Sequence, residues 1–335
     1  MKLAPIKSAL LNPAPMMKSW TALAFALAAT ASATTLDFGV SYHGGGQSGG
    51  WGRVGVSDVP ALGGRFSAGV STRTAEVGYS RNLALPPLGV VTARTDAAWA
   101  WSGGGRVSAR LGGSVGPVAL NLGGNVFSAS AAQIDPLAVW NSDATDSRER
   151  GLNADLSVRY RVSRTLIAVA GGEFGGQNMG TLGVEGRREL TRTLPLDEAA
   201  QPGDEPETEP VGTLTWRAGV RAGQNVLGVT GGVSYATESG LNLGIDALVG
   251  PKTFSVTGSA DAGELLGPGS SVRLYAAYEP WRTASTPLRA GIAATRPVGG
   301  GEVGLNVSGG RTLDGKTGYG ARLTYTLPLG ESTQP

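Results

Sequence analysis

The chain of 335 residues contains no cysteine and a single histidine. Without thiols there can be no disulfide, no thiolate nucleophile and no zinc-thiolate site, so stability has to come from the hydrogen-bonded ladder. Aromatic residues make up only 6% and charged residues 16% of the chain. The mean hydropathy is −0.02, too low for a bundle of membrane helices, and the composition is too apolar for a highly charged disordered chain. No helical period appears after residue 33, and no linker or shift of composition marks a boundary between domains. What is abundant is glycine, with 54 residues, and proline, with 19. These are the marks of a β-rich chain with many turns.

The single histidine also bears on catalysis. His43-Gly44-Gly45-Gly46 and Gly46-Gln47-Ser48-Gly49-Gly50 match an oxyanion loop and a nucleophile elbow in form. The elbow pattern recurs at Gly112-Gly113-Ser114-Val115-Gly116, as chance allows in so glycine-rich a chain. Such motifs need a strand-turn-helix setting and a histidine that follows the serine. Neither is present, so the stretch reads as a loop after the first strand and the chain as no enzyme. Asp143, Asp146 and the acids of 197–209 have no EF-hand spacing and read as solvated loops. No metal and no cofactor is assigned.

Residues 1–33 read as a signal peptide. Met17-Lys18 gives a short positive start, Trp20 to Ala29 an apolar run, and Ala31-Ser32-Ala33 a small-residue cleavage site. That run is half the length a spanning helix needs, so the mature chain is expected to begin at Thr34. Removing Lys2, Lys7 and Lys18 leaves 25 bases against 26 acids, a net charge of −1. This balance offers no basic stripe for nucleic acid, which is set aside as a partner.

From residue 34 onward the rule is alternation. In Gly151 to Val162, Leu152, Ala154, Leu156, Val158, Tyr160 and Val162 alternate with Asn153, Asp155, Ser157, Arg159 and Arg161, placing the two sets on opposite faces of a strand. Similar segments of about ten residues recur between Gly, Pro, Asn, Asp and Ser turns, and about 16 to 18 can be counted. Hairpins are expected at Thr72-Arg73, Gly116-Pro117 and Ser163-Arg164-Thr165. Aromatics near strand ends, Tyr42, Trp51, Tyr79, Trp99, Trp101, Tyr160, Tyr235, Tyr278, Trp281 and Tyr325, suit an interfacial girdle. Two stretches break the rhythm: 128–150, long and polar, and 197–210, with six acids and three prolines. Both are expected as outer loops. Three strands lie between them, an odd number that would put them at opposite ends unless a short extra strand forms at Thr191 to Leu196.

The alternation also sorts the arginines. Arg53, Arg65, Arg106, Arg110, Arg159, Arg161, Arg187, Arg217, Arg221, Arg273, Arg289 and Arg322 fall on the polar face, with Asp37, Glu76, Asp155, Glu185, Asp246 and Glu302. An arginine facing lipid at mid-membrane costs about 2–4 kcal/mol, so this sidedness is what a barrel requires. Of these, Arg106, Arg110, Arg159, Arg161, Arg217, Arg221, Arg273, Arg289 and Arg322 are the candidate lumen-facing residues.

Patterned in this way, Thr35 to about Leu329 resembles bacterial outer-membrane β-barrel proteins of the porin type. The final strand, Gly320-Ala321-Arg322-Leu323-Thr324-Tyr325, is similar to the assembly signal with which such proteins end, but it continues through Pro328 to Pro335. The resemblance implies a single all-β transmembrane antiparallel barrel over 34–335 in the cell outer membrane. Its partners would be membrane lipid, the barrel assembly machinery and small hydrophilic solutes passing by diffusion. Twelve bases against six acids suggest a mild anion preference. The rival reading is a structural or adhesive surface protein, either a plugged barrel or a secreted β-sheet, with the arginines bracing the wall.

Overall fold

A computed structural model describes residues 35–45, 48–86, 89–193, 208–312 and 314–329. Residues 1–33, expected to be a signal peptide, Gly46-Gln47 of the two serine-hydrolase-like motifs and the acids of 197–207 lie outside the described residues. The rest forms eighteen antiparallel strands. The first six are β1 (Thr35–Gly44), β2 (Gly49–Ala61), β3 (Gly64–Ser71), β4 (Thr74–Leu85), β5 (Gly89–Ala100) and β6 (Gly105–Val115). Then come β7 (Val118–Phe127), β8 (Gly151–Arg161), β9 (Leu166–Phe174), β10 (Met179–Thr193), β11 (Thr208–Gly223) and β12 (Val226–Thr237). The last six are β13 (Leu241–Gly250), β14 (Thr253–Gly263), β15 (Ser271–Tyr278), β16 (Leu288–Val298), β17 (Gly301–Arg311) and β18 (Thr317–Pro328).

Each strand pairs with its sequence neighbours, and β1 also pairs with β18 from Thr35↔Pro328 to Gly44↔Tyr319. The sheet therefore closes into a barrel without a free edge. Hairpins form at all three turns expected from the sequence, and at Gly299-Gly300, where both residues have positive φ (58° and 81°) as a two-residue hairpin turn of type I′ demands. The one irregular strand at the seam is β2. It bulges between Val56 and Val59, with Asp58 at φ 58°, and Leu36, Val56 and Val59 pack there with Phe66, Ala68 and Leu327.

The period of two decides what faces out. Val220, Val229, Val249 and Phe254 are successive cross-strand partners on β11 to β14, and they are 51%, 63%, 61% and 51% exposed. Leu111, Leu122 and Leu156 form a similar row. A continuous exposed apolar wall of this extent suits lipid and not water. Tyr42, Trp99, Tyr278 and Tyr319 rim it at one end; Tyr79, Tyr160, Tyr235 and Tyr325 rim it at the other. Trp51 and Trp281 do not belong to this girdle. Both are buried inside, Trp51 on the inner face of β2 beside Arg73 and Arg322, and Trp281 in an inward-folded loop.

The two long stretches lie at opposite ends. β8, β9 and β10 separate them, β10 continues past a register shift at Leu190-Thr191 to Thr193, and no separate strand restores the parity among the described residues. β10 ends and β11 begins at the end that carries both ends of the described chain, called here the terminus end. Segment 128–150 springs from the other end and, instead of standing outside, folds into the barrel. It contains the two helical turns of the protein's described residues, α1 (Ala131–Ile134) and a 3-10 turn at Ala138–Trp140, so some helix does occur after residue 33.

Because Leu156 faces out and Ser157 faces in, Leu156→Arg should cost about 2–4 kcal/mol of barrel stability. Ser157→Arg should be tolerated. Gel mobility of unboiled protein reports the difference, and equal folding of the two variants would contradict this facing.

Candidate functional site

The inward loop is built from local signals and then locked to the wall. Ser130 caps α1 reciprocally: its Oγ accepts from Gln133 N (3.2 Å), and Gln133 Oε1 accepts from Ser130 N (2.7 Å), a capping box. Asp135 accepts from Arg322 at 2.6 Å, and Arg322 also donates to Ser41 Oγ. Beyond it Leu137, Val139 and Trp140 are buried at 3%, 5% and 4% exposure. They can lie flat on β18 because Gly318 and Gly320 offer no side chain; a Cβ at Gly318 would collide with the Trp140 ring, and one at Gly320 with Leu137.

A second loop, 279–287 between β15 and β16, also turns inward and holds the first. Tyr275 on β15 donates to Trp140 O at 2.5 Å, and Thr286 donates to Val139 O. Arg289 is almost wholly buried. It donates to Asn141 O (3.0 Å), Ser142 O (3.1 Å), Thr286 O (3.1 Å) and Glu279 Oε2 (2.5 Å). Arg282 pairs with Glu173 of β9 at 2.9 Å and with Glu279 at 3.1 Å. Gln177 donates to Trp281 O, and Ser147 N donates to Ala284 O, tying the loops together. Burial by itself would raise the Glu279 carboxyl, but Arg282 and Arg289 outweigh it and hold it below its ordinary 4.5.

The anchors of 128–150 lie mostly along β15, β16, β18 and β1, while the second loop reaches across to Glu173 on β9 and packs Trp281 on Met179, Val226 and Leu248. Against the other side, from β5 to β14, the interior keeps a polar cavity of about 1660 Å³. A smaller one of about 360 Å³ lies against β1 to β6. Arg106, Arg110, Arg159, Arg217, Arg221 and Arg289 line the large cavity. Arg159 is paired with Glu185 (2.7 Å) and Arg217 with Asp246 (2.8 Å). Arg106, Arg110 and Arg221 have no acid partner among the described residues; Arg106 Nη1 and Arg221 Nε are buried without an acceptor, their guanidinium groups stacked near Phe127 (4.5 Å) and Trp281 (5.4 Å).

The remaining three candidates are elsewhere. Arg161 is exposed beside the turn at 162–165, Arg273 pairs with Asp261 near the terminus end, and Arg322 serves the anchor at Asp135. The lining also carries acids that strand patterning did not count: Asp96 and Glu173 on the walls, and Asp143, Asp146 and Glu279 from the loops. In all, eight arginines share it with eight acids. Tyr275, Trp140, Glu279 and Arg282 were not recognised in the sequence. Parity on β15 puts Tyr275 with Arg273 on the inner face, but nothing local shows that the loops would fold towards it.

No family model matches the sequence, and no curated protein matches it. Its backbone is similar to that of Pseudomonas aeruginosa OpdQ, with a TM-score of 0.50 at 11% identity over 89% of this chain and 97% of that one. The chain has the fold of a porin-type outer-membrane barrel. Other structures similar to it are P. aeruginosa OccK10 (OpdN), at TM-score 0.46 and 13% identity over 89% and 99% of the two chains, and a triple mutant of Rhodopseudomonas blastica porin, at 0.41 and 11% over 88% and 99%.

The porin-type interior described here makes Arg289 the keystone of the inward loops. Removing one partner of a buried ion pair costs about 3–5 kcal/mol, so Arg289→Ala should free 128–150 and expose it to protease in the folded barrel. The pH dependence has a sign. Since Glu279 ionises below its ordinary value, its contribution is complete above pH 4.5 and is lost only as pH falls through the lower folded value. Protease protection of 128–150 should hold at pH 5 and fail in stronger acid, and Glu279→Gln should remove that dependence.

Proposed function

We propose that this protein is an outer-membrane pore through which small hydrophilic solutes diffuse passively, with a weak preference for anions. The observation that carries the reading is the wide polar cavity enclosed by an apolar, aromatic-rimmed outer wall. Barrels of 16–18 strands have room for an aqueous path, and the inward loops narrow that path, Trp281 covering Met179, Val226 and Leu248, while the rest of the wall from β5 to β14 still lines the cavity. Residues 1–33 would direct export and be removed, and β18 would present its glycine and spaced hydrophobics to the assembly machinery.

The preference is weak because eight arginines meet eight acids along the lining. It tilts towards anions because Arg106, Arg110 and Arg221 are left without acid partners among the described residues, while Asp143 and Asp155 are the acids of the lining in that position. Basic side chains around a path favour anions. The extensive anchoring of both loops favours a second reading, a barrel closed by its own loops whose role is structural or adhesive.

Conductance across a planar bilayer separates the two. A pore gives steady steps and a reversal potential displaced slightly to the anion side in a salt gradient. Arg106→Gln, Arg110→Gln and Arg221→Gln together should move that potential towards cations. Cation preference in the unmodified protein would refute the anion bias, and a silent barrel that nevertheless inserts would favour the second reading.

A further inference from the structure

On the outer wall at the terminus end, the tyrosines of the rim are accompanied by arginines that the pore does not use. Arg81 lies two residues beyond Tyr79 on the same face of β4. Arg188 on β10 pairs with Leu214, which pairs with Tyr235. Arg296 on β16 pairs with Val303, which pairs with Tyr325. Arg164 stands in the turn that follows Tyr160 on β8. All four arginines are exposed, and none has an acid partner among the described residues. They are spread around the barrel, at β4, the turn between β8 and β9, β10 and β16.

Acids on the strands at this end are sorted the other way, while Glu238 and Glu264 stand exposed in its turns. Asp37, Glu189, Asp261 and Glu302 sit on the inner-face phase of their strands, and Glu209 is held by Arg192 at 3.3 Å. Tyr79, Tyr235 and Tyr325 donate their hydroxyls to backbone carbonyls of the end turns and their neighbours, at Leu62, Val211 and Gly299. The rings are thereby fixed at the depth where apolar wall gives way to water. An unpaired guanidinium at that depth meets the phosphates of lipid headgroups, which it can bind through two parallel N–H groups.

We propose that Arg81, Arg164, Arg188 and Arg296 form an external collar that binds phospholipid phosphates and seats the terminus end of the barrel in the leaflet it faces. The collar rests on the membrane reading above, and its test separates the two. Full-length barrel is placed in nanodiscs of phosphatidylcholine with phosphatidylglycerol, and the phosphatidylglycerol retained per barrel is counted by native mass spectrometry. The fourfold Arg→Gln variant should retain less, by about fivefold for each arginine removed. Arg65→Gln, which removes an inward arginine at the same end paired with Asp58, should retain as much as the unmodified protein.

Equal retention by the fourfold variant and the unmodified barrel would overturn the collar while leaving the membrane reading intact. Equal loss in Arg65→Gln would overturn it as well, since the effect would then not belong to the outer face. A barrel that folds in detergent but enters no bilayer would overturn both readings. Stabilisation of the detergent-solubilised barrel by inorganic phosphate alone, to the same extent as by lipid, would mark a free-anion site and overturn the lipid assignment.

Discussion

The pairing of β1 with β18 is the constraint on which the rest of the structure depends. A sheet of eighteen strands with an open edge would expose a row of unpaired N–H and C=O groups, which water or another chain would have to satisfy. Ten consecutive pairs across the seam remove that edge, and the backbone becomes self-sufficient, as lipid surroundings require. Closure also makes facing global. Side chains alternate with period two, so a slip of one residue in a strand would send its apolar set inside and its arginines out. A register fixed at the seam and at each hairpin therefore fixes the chemistry of both surfaces at once.

This is why so much of the wall was legible in the sequence. Leu152, Leu156 and Tyr160 need no distant partner to declare their side; the charged residues between them do it. The same rule failed for the loops, because a loop has no period. Segment 128–150 looks polar along the chain, yet Leu137, Val139 and Trp140 are buried, since Gly318 and Gly320 leave space on a strand almost 180 residues away. Nothing near residue 140 carries that information. Trp281 was misread for a related reason: an aromatic beside a strand end suits a girdle, and only the network around Glu279 and Gln177 turns it inward. The odd number of strands between the two long stretches was correct in the sequence, and the expectation that both are outer loops gave way to it.

Electrostatics inside the barrel follows from where each arginine finds its acid. Counting strand faces alone leaves twice as many bases as acids, but the count omits whatever folds in from the ends. Asp143, Asp146 and Glu279 arrive with the loops, and Glu173 from a strand whose alternation is obscured by its glycines and alanines. Arg289 and Arg282 are consumed in holding the loops, so they act as fasteners and contribute little free charge. An arginine's position in the pattern identifies its side of the wall. Its partners decide whether it steers a solute or secures the fold.

The two roles are divided in space. Fasteners cluster on β15, β16 and β18, where Tyr275, Arg289 and Arg322 bind loop carbonyls and the Asp135 carboxylate. The unpartnered Arg106, Arg110 and Arg221 lie on β6 and β11, against the open cavity. An inward loop spread evenly around the wall would have to satisfy its own backbone in the middle of the lumen. Anchored mainly on one side, it borrows donors from that wall, while the second loop crosses to Glu173 and to Met179, Val226 and Leu248. Arg106 and Arg221, partly buried against Phe127 and Trp281, keep on β6 and β11 a positive charge that no acid among the described residues pairs.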